Sequence, residues 1–569
     1  MNYQPTLSDI DFILHAVLNA PAQLQALPTF AEVDADLMHQ VLDEAGKFVG
    51  EVIAPLNRTG DEVGCQFANG QVTTPPGFKA AYQSFWQAGW PALACAPEDG
   101  GQGLPGVLEA VLYEMLSAAN HGWTMAPGLL HGAYECIKHH ASDELKARYL
   151  EKVATGEWLA TMCLTEPQAG SDLGLVRTKA SPQADGSYRL SGTKIFISGG
   201  EHDLTDNIVH LVLARLPDAP PGPKGLSLFL APKFMPDGSR NPVFCERIEE
   251  KMGLHGSATC VMRFDEATGW IVGAPGRGLN AMFVMMNAAR LHVGLQGIGL
   301  LEAAWQKADA YAKERRQMRA PGRGSSAAEA DLIIEHPAMR RILDTQRAWI
   351  DGGRVLAYKT ALALDVIKHH PDSARKAEAE RWCSLVTPVL KAAWTAQAFH
   401  GSSDCLQVFG GHGYVREWGI EQIVRDSRVS MIYEGTNEIQ AIDLLVRKVL
   451  ADGGTGLTAL LQALGNELDA TDTLHTIVQA QVAALCDLTR QLVPANSSDK
   501  TLAYWVADDY LRAVALTLLA WAWTQIKRAT EPGVQHMDEG RWTQPACALQ
   551  HWVLPEFAMR VQMIQARLS

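Results

Sequence analysis

The spacing of apolar positions changes character along the chain. From Leu7 to about Trp158 apolar residues recur every three or four positions, as in "LMHQVLDEAGKFVGEVIAPL" and "LEAVLYEMLSAAN", with Pro or Gly between the runs; this is the pattern of amphipathic helices. From Leu159 to about Gly273 the runs become short and β-rich: "LATMCLTE", "YRLSGTKIFISG", "NIVHLVLARL", "GLSLFLAP" and "CVMRFDEA". Turn strings such as "ADGS" and "PDAPPGPKG" separate them, which predicts a small β-barrel or sandwich. After "GAPGRGLN" helical spacing resumes as far as Leu450, broken by the polar "RAPGRGSSAAEA", which reads as a loop. A Gly-rich break, "ADGGTG", then opens about four more helical segments. One of them, "LAYWVADDYLRAVALTLLAWAWTQIKRA", is apolar around most of its circumference and has to be covered by other helices. The expected class is α+β, mostly α. The expected domains are an all-α N-terminal domain over 1–158, a middle β domain over 159–273, a helical bundle over 274–450 and a C-terminal helical extension over 457–569.

Composition narrows the function classes. With 569 residues and 47% hydrophobic content the chain has ample material for several buried cores. Lys plus Arg number 49 against 63 Asp plus Glu, a net charge of -14 without any basic run, which argues against a protein that tracks nucleic-acid phosphates. The ten cysteines form no Cys-x-x-Cys pair and no metal-like spacing with His, so they read as reduced, mostly buried thiols of a cytoplasmic protein. The start, "MNYQPTLSDIDFILHAVL", lacks the basic and apolar regions of a secretory leader. "VALTLLAWAW" is too short for a ~30 Å bilayer.

Several strings carry candidate chemistry. "GQGLPG" matches the spacing of a dinucleotide loop, but "CAPEDG" stands where a strand should be, Pro105 interrupts it, and no carboxylate lies near Ala126. A nicotinamide site is therefore not expected. In "CLTEPQAGSD" a strand ends at Thr165 and runs into a turn rich in hydroxyls and close-approaching backbone N–H groups, suited to a flat polar ring or a pyrophosphate. In "KIFISGG" strand alternation puts Phe196 and Ser198 on one face, an aromatic plane beside a hydroxyl. In "MIYEGTNEIQ" Thr436 is a helix N-cap, with Ile439, Ile442, Val446 and Val449 following at helical spacing. Glu434 then lies just before a helix N-terminus, whose dipole favours the ionised carboxylate, while burial beside Met431 and Ile432 would favour the neutral one. Such a carboxylate suits a general base, and Gly435 lets a substrate approach. On its own the string equally fits a capping or salt-bridged glutamate.

Taken together and in order, "CLTEPQAGSD", "KIFISGG", "LQVFGGHGY" and "IYEGTNEIQ" resemble the acyl-CoA dehydrogenase family of flavoproteins over about residues 40–449. The spacing, the "EEKMGLHGSATC" segment and the extra C-terminal helices are most similar to its large members acting on short and medium acyl-CoAs. The resemblance implies FAD-dependent α,β-dehydrogenation of an acyl-CoA, 3-methylmercaptopropionyl-CoA or a short or medium acyl-CoA, with electrons passed to electron-transfer flavoprotein. An oxygen-using acyl-CoA oxidase and an inactive helical scaffold are the rival readings.

The same resemblance puts Glu434 on the catalytic base. It implies FAD contacts for Met162, Leu164, Thr165, Gly170 and Ser171, packing of Phe196 and Ser198 on the flavin ring, and further FAD contacts for Arg315, Gln407, Gly410, Gly411, Thr436 and Glu438. Arg315 would act across a subunit boundary. Ser171, Arg290 and Gly435 would border the acyl-CoA. Arg290 is preceded by Ala288 and Ala289, so the alternative base position of some family members carries no carboxylate. "ERRQMR" lacks the usual Thr-Phe-Gly, and Phe196 stands where many relatives have Trp. A homodimer is expected, with the apolar C-terminal extension covering the helical face through which shorter members form tetramers.

Overall fold

The computed structural model describes residues 2–322, 329–468, 472–530 and 539–568. Half of the expected loop at 319–330, residues 323–328, therefore falls outside the described residues, as does the side chain of Ala288. The chain forms two compact units: residues 47–109 with 119–292, and residues 1–46 with 110–118 and 293–569.

The first of these units contains both sheets. Strands β1 (Gln66–Ala68) and β2 (Gln71–Thr73) pair as an antiparallel hairpin, so the expected all-α N-terminal domain is not all helical. Its turn residues, Asn69 and Gly70, have φ of 52° and 78°. Asn-Gly is the residue pair that favours such a two-residue turn, whereas three-residue strands are too short to display alternation.

The larger sheet has seven strands: β3 (Leu159–Cys163), β4 (Lys179–Pro182), β5 (Tyr188–Ser198), β6 (Ile208–Arg215), β7 (Leu226–Pro232), β8 (Val243–Ile248) and β9 (Thr259–Val272). Strands β6, β4, β5, β9 and β7 form a ring that closes through β7 and β6, while β3 runs parallel to β6 and β8 lies along β9. The closed ring is the expected small barrel. Leu190, Val212, Phe229, Met262 and Phe264 lie at its core. Strands β6 and β7 are buried along almost their whole length, which is why their sequences are nearly continuous apolar runs. The sequence reading did not identify β4, which is mostly exposed, or β8, which places Val243 and Cys245 in the core but alternates them with exposed residues.

The second unit is helical. Its main helices are the last part of Gly278–Glu314, then Pro337–His369 and Ser373–Val408, followed by the short Ile420–Arg428 and Asn437–Ile442. Among the described residues after Gly454 there are five α-helices where about four are expected: Thr455–Asn466, Thr473–Ser498, Leu502–Ala529, Glu539–Ala548 and Glu556–Leu568. In the apolar Leu502–Ala529 helix Val514, Leu518, Leu519, Trp521 and Trp523 are buried as expected, whereas Trp505 is 66% exposed. Trp523 donates its indole N–H to the Ala348 carbonyl at 2.8 Å, and the rings of Trp521 and Trp382 lie 5.9 Å apart. The C-terminal extension is thus packed onto the helical bundle.

Buried charges link distant parts of this unit. Arg354 pairs with Glu114 at 2.8 Å and Glu302 at 3.2 Å, and Arg347 with Glu302 at 2.7 Å and Asp351 at 2.9 Å. Arg541 reaches Asp351 at 2.8 Å and Asp9 at 2.9 Å. No helix among the described residues is long and apolar enough to cross a membrane.

Candidate functional site

The sequence-predicted site residues fall into one group in each unit. In the barrel unit, Met162 lies on β3 and the chain then turns through Leu164, Thr165, Gly170 and Ser171. Met162, Leu164 and Thr165 are half-buried, and Gly170 and Ser171 are exposed. The turn is built around Glu166. Its backbone exchanges hydrogen bonds with Ala169, and its buried carboxylate accepts from the backbone N–H of Arg177 at 2.7 Å, the N–H of Thr178 at 3.0 Å and the Lys194 ammonium at 2.9 Å. Lys194 also donates to the Leu164 carbonyl at 3.0 Å. Burial raises the Glu166 pKa, but Lys194, the Thr178 hydroxyl and the Arg177 N–H outweigh it and hold the carboxyl down at about 2.

This pair also shapes β5. The simple alternation expected for "KIFISGG" breaks, because the pairing with β9 shifts register between Lys194 and Ile197. Both of those residues are buried, and the Ile195 N–H leaves the ladder to bond the Thr165 carbonyl at 2.9 Å. The extra residue makes a bulge. At the bulge Phe196 adopts φ 59° and its ring is 59% exposed, with Ser198 half-buried two positions on. The signal for the Lys194–Glu166 pair was in the sequence: Leu190 and Lys194 share the inward face of the strand, and a lysine on a barrel's core face has to be paired. Arg290 lies half-buried on the Gly278–Glu314 helix, in the same unit.

In the helical unit, Arg315 directly follows that helix and is exposed. Gln407, Gly410 and Gly411 lie where the Ser373–Val408 helix passes into a 3-10 turn, and all three are exposed. A Cβ added at either glycine would meet nothing within 4 Å. The base turn is more tightly made. Glu434 has φ 57° and Gly435 φ 85°, and a left-handed residue with a side chain costs about 1–2 kcal/mol. The Glu434 carbonyl accepts from the Gln440 amide at 2.9 Å, and the Gly435 carbonyl from the Lys391 ammonium at 2.7 Å. Tyr433 donates its hydroxyl to Gln296 at 2.6 Å.

Thr436 caps the next helix, accepting from the Ile439 N–H at 3.3 Å. The Thr436 hydroxyl and then Glu438's own backbone N–H hold the Glu438 carboxyl below the usual range. Two expectations need correction. Ile432 is 51% exposed and Met431 only half-buried, so the apolar burial expected on that side of Glu434 is not present. The helix after Thr436 widens at Asp443 into a π-helix, so Ile439, Ile442 and Val446 are half-buried while Ala441, Leu444, Leu445 and Val449 are buried. A π turn shifts the buried face away from the α spacing.

Three family models match the chain in succession: the N-terminal domain of acyl-CoA dehydrogenase over 36–157, the middle domain over 161–267 and the C-terminal domain over 276–449. The chain is 47% identical to 3-methylmercaptopropionyl-CoA dehydrogenase of Ruegeria pomeroyi over 459 residues, 80% of this chain and 77% of that one. It is 35% identical to the broad-specificity linear acyl-CoA dehydrogenase FadE5 of Mycobacterium tuberculosis over 475 residues, again 80% and 77%. Its fold matches the crystal structure of an acyl-CoA dehydrogenase complexed with FAD from Bacillus anthracis at a TM-score of 0.77 and 20% identity, over 96% of this chain and 90% of that one.

Proposed function

Because the chain belongs to the acyl-CoA dehydrogenase family, we propose that it is an FAD-dependent enzyme that oxidises an acyl-CoA thioester across Cα and Cβ to the trans-2-enoyl-CoA. The observation that carries this reading is Glu434, a half-buried carboxylate on a left-handed residue whose own carbonyl and the next are both held by buried side chains. A general base needs such fixed placement. Glu434 takes the α-proton, and its own backbone N–H is a donor for the charge that develops on the thioester carbonyl. FAD supplies, when bound, the acceptor for the hydride leaving Cβ.

The residues fit that cofactor. The exposed Phe196 ring with Ser198 offers a flat ring partner, Met162, Leu164, Thr165, Gly170 and Ser171 offer a half-open polar turn, and Gly410 and Gly411 leave open space for a close approach. Arg315, Gln407, Thr436 and Glu438 complete the proposed FAD set, and Ser171, Arg290 and Gly435 border the acyl-CoA. The substrate we favour is 3-methylmercaptopropionyl-CoA, supported by 47% identity to an enzyme named for it; a 36% identical butyryl-CoA dehydrogenase of Syntrophomonas wolfei supports a short straight chain as the next choice. Electrons pass to electron-transfer flavoprotein. The working form is a homodimer whose bundle is covered by residues 457–569, and its free thiols suit the reducing cytoplasm.

The test is anaerobic mixing of the FAD-loaded protein with a thioester series from acetyl- to octanoyl-CoA that includes 3-methylmercaptopropionyl-CoA. Flavin bleaching should be fastest with 3-methylmercaptopropionyl-CoA. A protein that takes up no FAD, or a flavin that no thioester bleaches, overturns the proposal, and peroxide released in step with turnover would make the enzyme an oxidase. Light scattering of the intact chain tests the dimer, which a tetramer would refute.

A further inference from the structure

We propose that Lys391 and Gln440 are positioning residues that hold the Glu434–Gly435 turn in its left-handed form and so fix the direction of the base; this rests on the reading of Glu434 as base. Lys391 has no exposed surface, although it carries an ammonium in the middle of the Ser373–Val408 helix beside Val389, Leu390 and Trp394, which are themselves fully buried. An ammonium is tolerated in such a place only where its donors are used. They reach the Gly435 carbonyl at 2.7 Å and the Asn437 side-chain oxygen at 2.9 Å. Asn437 is itself fixed, because its amide donates to the Ala392 carbonyl at 3.0 Å and its oxygen also accepts from Thr395 at 3.1 Å. Lys391 therefore holds the turn against a helix rather than against a mobile side chain.

Gln440 holds the neighbouring peptide. It is fully buried, its amide N–H donates to the Glu434 carbonyl at 2.9 Å, and its own oxygen has no hydrogen-bond partner among the described residues. A carbonyl can only accept, so the amide orientation is determined. A Cβ on Gly435 would come within 2.7 Å of this same amide nitrogen, so the glycine is what lets Gln440 come close enough. Two consecutive carbonyls, of Glu434 and Gly435, are thus bonded by side chains from different helical segments. Peptide planes held at both carbonyls resist rotation, and they anchor the Cα of Glu434 from its C-terminal side, so the root of its side chain is set with them.

The test compares Lys391→Met and the nearly isosteric Gln440→Leu with the parent and with Glu434→Gln, all loaded with FAD and mixed anaerobically with 3-methylmercaptopropionyl-CoA. The expected result is that both variants stay yellow and bind the thioester within about threefold of the parent, yet bleach roughly 10- to 100-fold more slowly, the scale on which a displaced group loses rate. A purely structural role would lower the melting temperature and the flavin content while each flavin present bleached at the parental rate, and that result overturns the proposal. If Lys391→Met does not fold, Gln440→Leu decides. If Glu434→Gln bleaches like the parent, the base reading itself has failed. If Glu434→Gln is slow and the two variants are fast, only the clamp has failed.

Discussion

The turns at Phe196 and Glu434 solve one local problem in two ways. Each places a residue with a side chain at left-handed φ, 59° and 57°, where the backbone resists it. At Phe196 the strain is borne by a closed electrostatic knot: the buried Lys194–Glu166 pair, tied to backbone on both sides. At Glu434 it is borne by two donors to backbone carbonyls, one cationic and one neutral. The difference follows what each turn presents. Next to the aromatic ring the buried cation is paired with a carboxylate, whereas next to the base it is directed to a backbone carbonyl.

Breaking the knot should have the largest effect. Lys194→Met leaves the Glu166 carboxylate buried and unpaired, which costs about 3–5 kcal/mol, read as a lower thermal or urea midpoint. Adding Glu166→Gln should recover part of that loss, and a single variant as stable as the parent would mean that the knot does not support the barrel. The acid response gives the same comparison. Glu166 is held ionised down to about pH 2 in the fold, against about 4.3 in an unfolded chain. Its contribution is complete above about pH 4.3 and is lost as the pH falls toward 2. Urea midpoints measured across that range should show a fall that Lys194→Met flattens.

Next in size is the base. Glu434→Gln should retain FAD and bind acyl-CoA while flavin reduction slows ~100-fold or more, about 3 kcal/mol of transition-state stabilisation. Parental bleaching in this variant would put the base elsewhere. The smallest expected effect concerns the strain itself. Phe196→Gly removes a mostly exposed ring and a left-handed penalty of about 1–2 kcal/mol. Its melting temperature should hold or rise slightly while its affinity for FAD falls, both measurable in one thermal titration with added FAD. Unchanged FAD affinity would separate the ring from the cofactor.

What could be read from the sequence follows the same division. The long helices were legible from their apolar spacing and the barrel from short apolar runs between turn strings, and Thr436 was legible as a cap because a hydroxyl just before an apolar run has one common use. The bulge at Phe196 was not, because it depends on where the Ile195 N–H finds its partner, on a different strand end. Lys391 and Gln440 were missed for a related reason. They act on backbone carbonyls, in the case of Lys391 44 positions away, and a carbonyl has no signature in the residue that owns it. A lone lysine inside "VTPVLKAAW" was the available hint. The exposed face of Ile432 was hidden because an apolar run resembles a buried one until its surroundings are known.

The bond from Arg541 to Asp9 spans 532 positions, and it sets a schedule for synthesis. A ribosome adding 5–20 residues per second needs roughly 30 to 100 seconds to cover that distance. Throughout that time the first helix exists without its last partner, and Asp351, buried in the finished protein, joins the wait for the last 190 positions. The early helix must therefore be kept from wrong partners until Arg541 emerges, which makes its final packing a late event of synthesis.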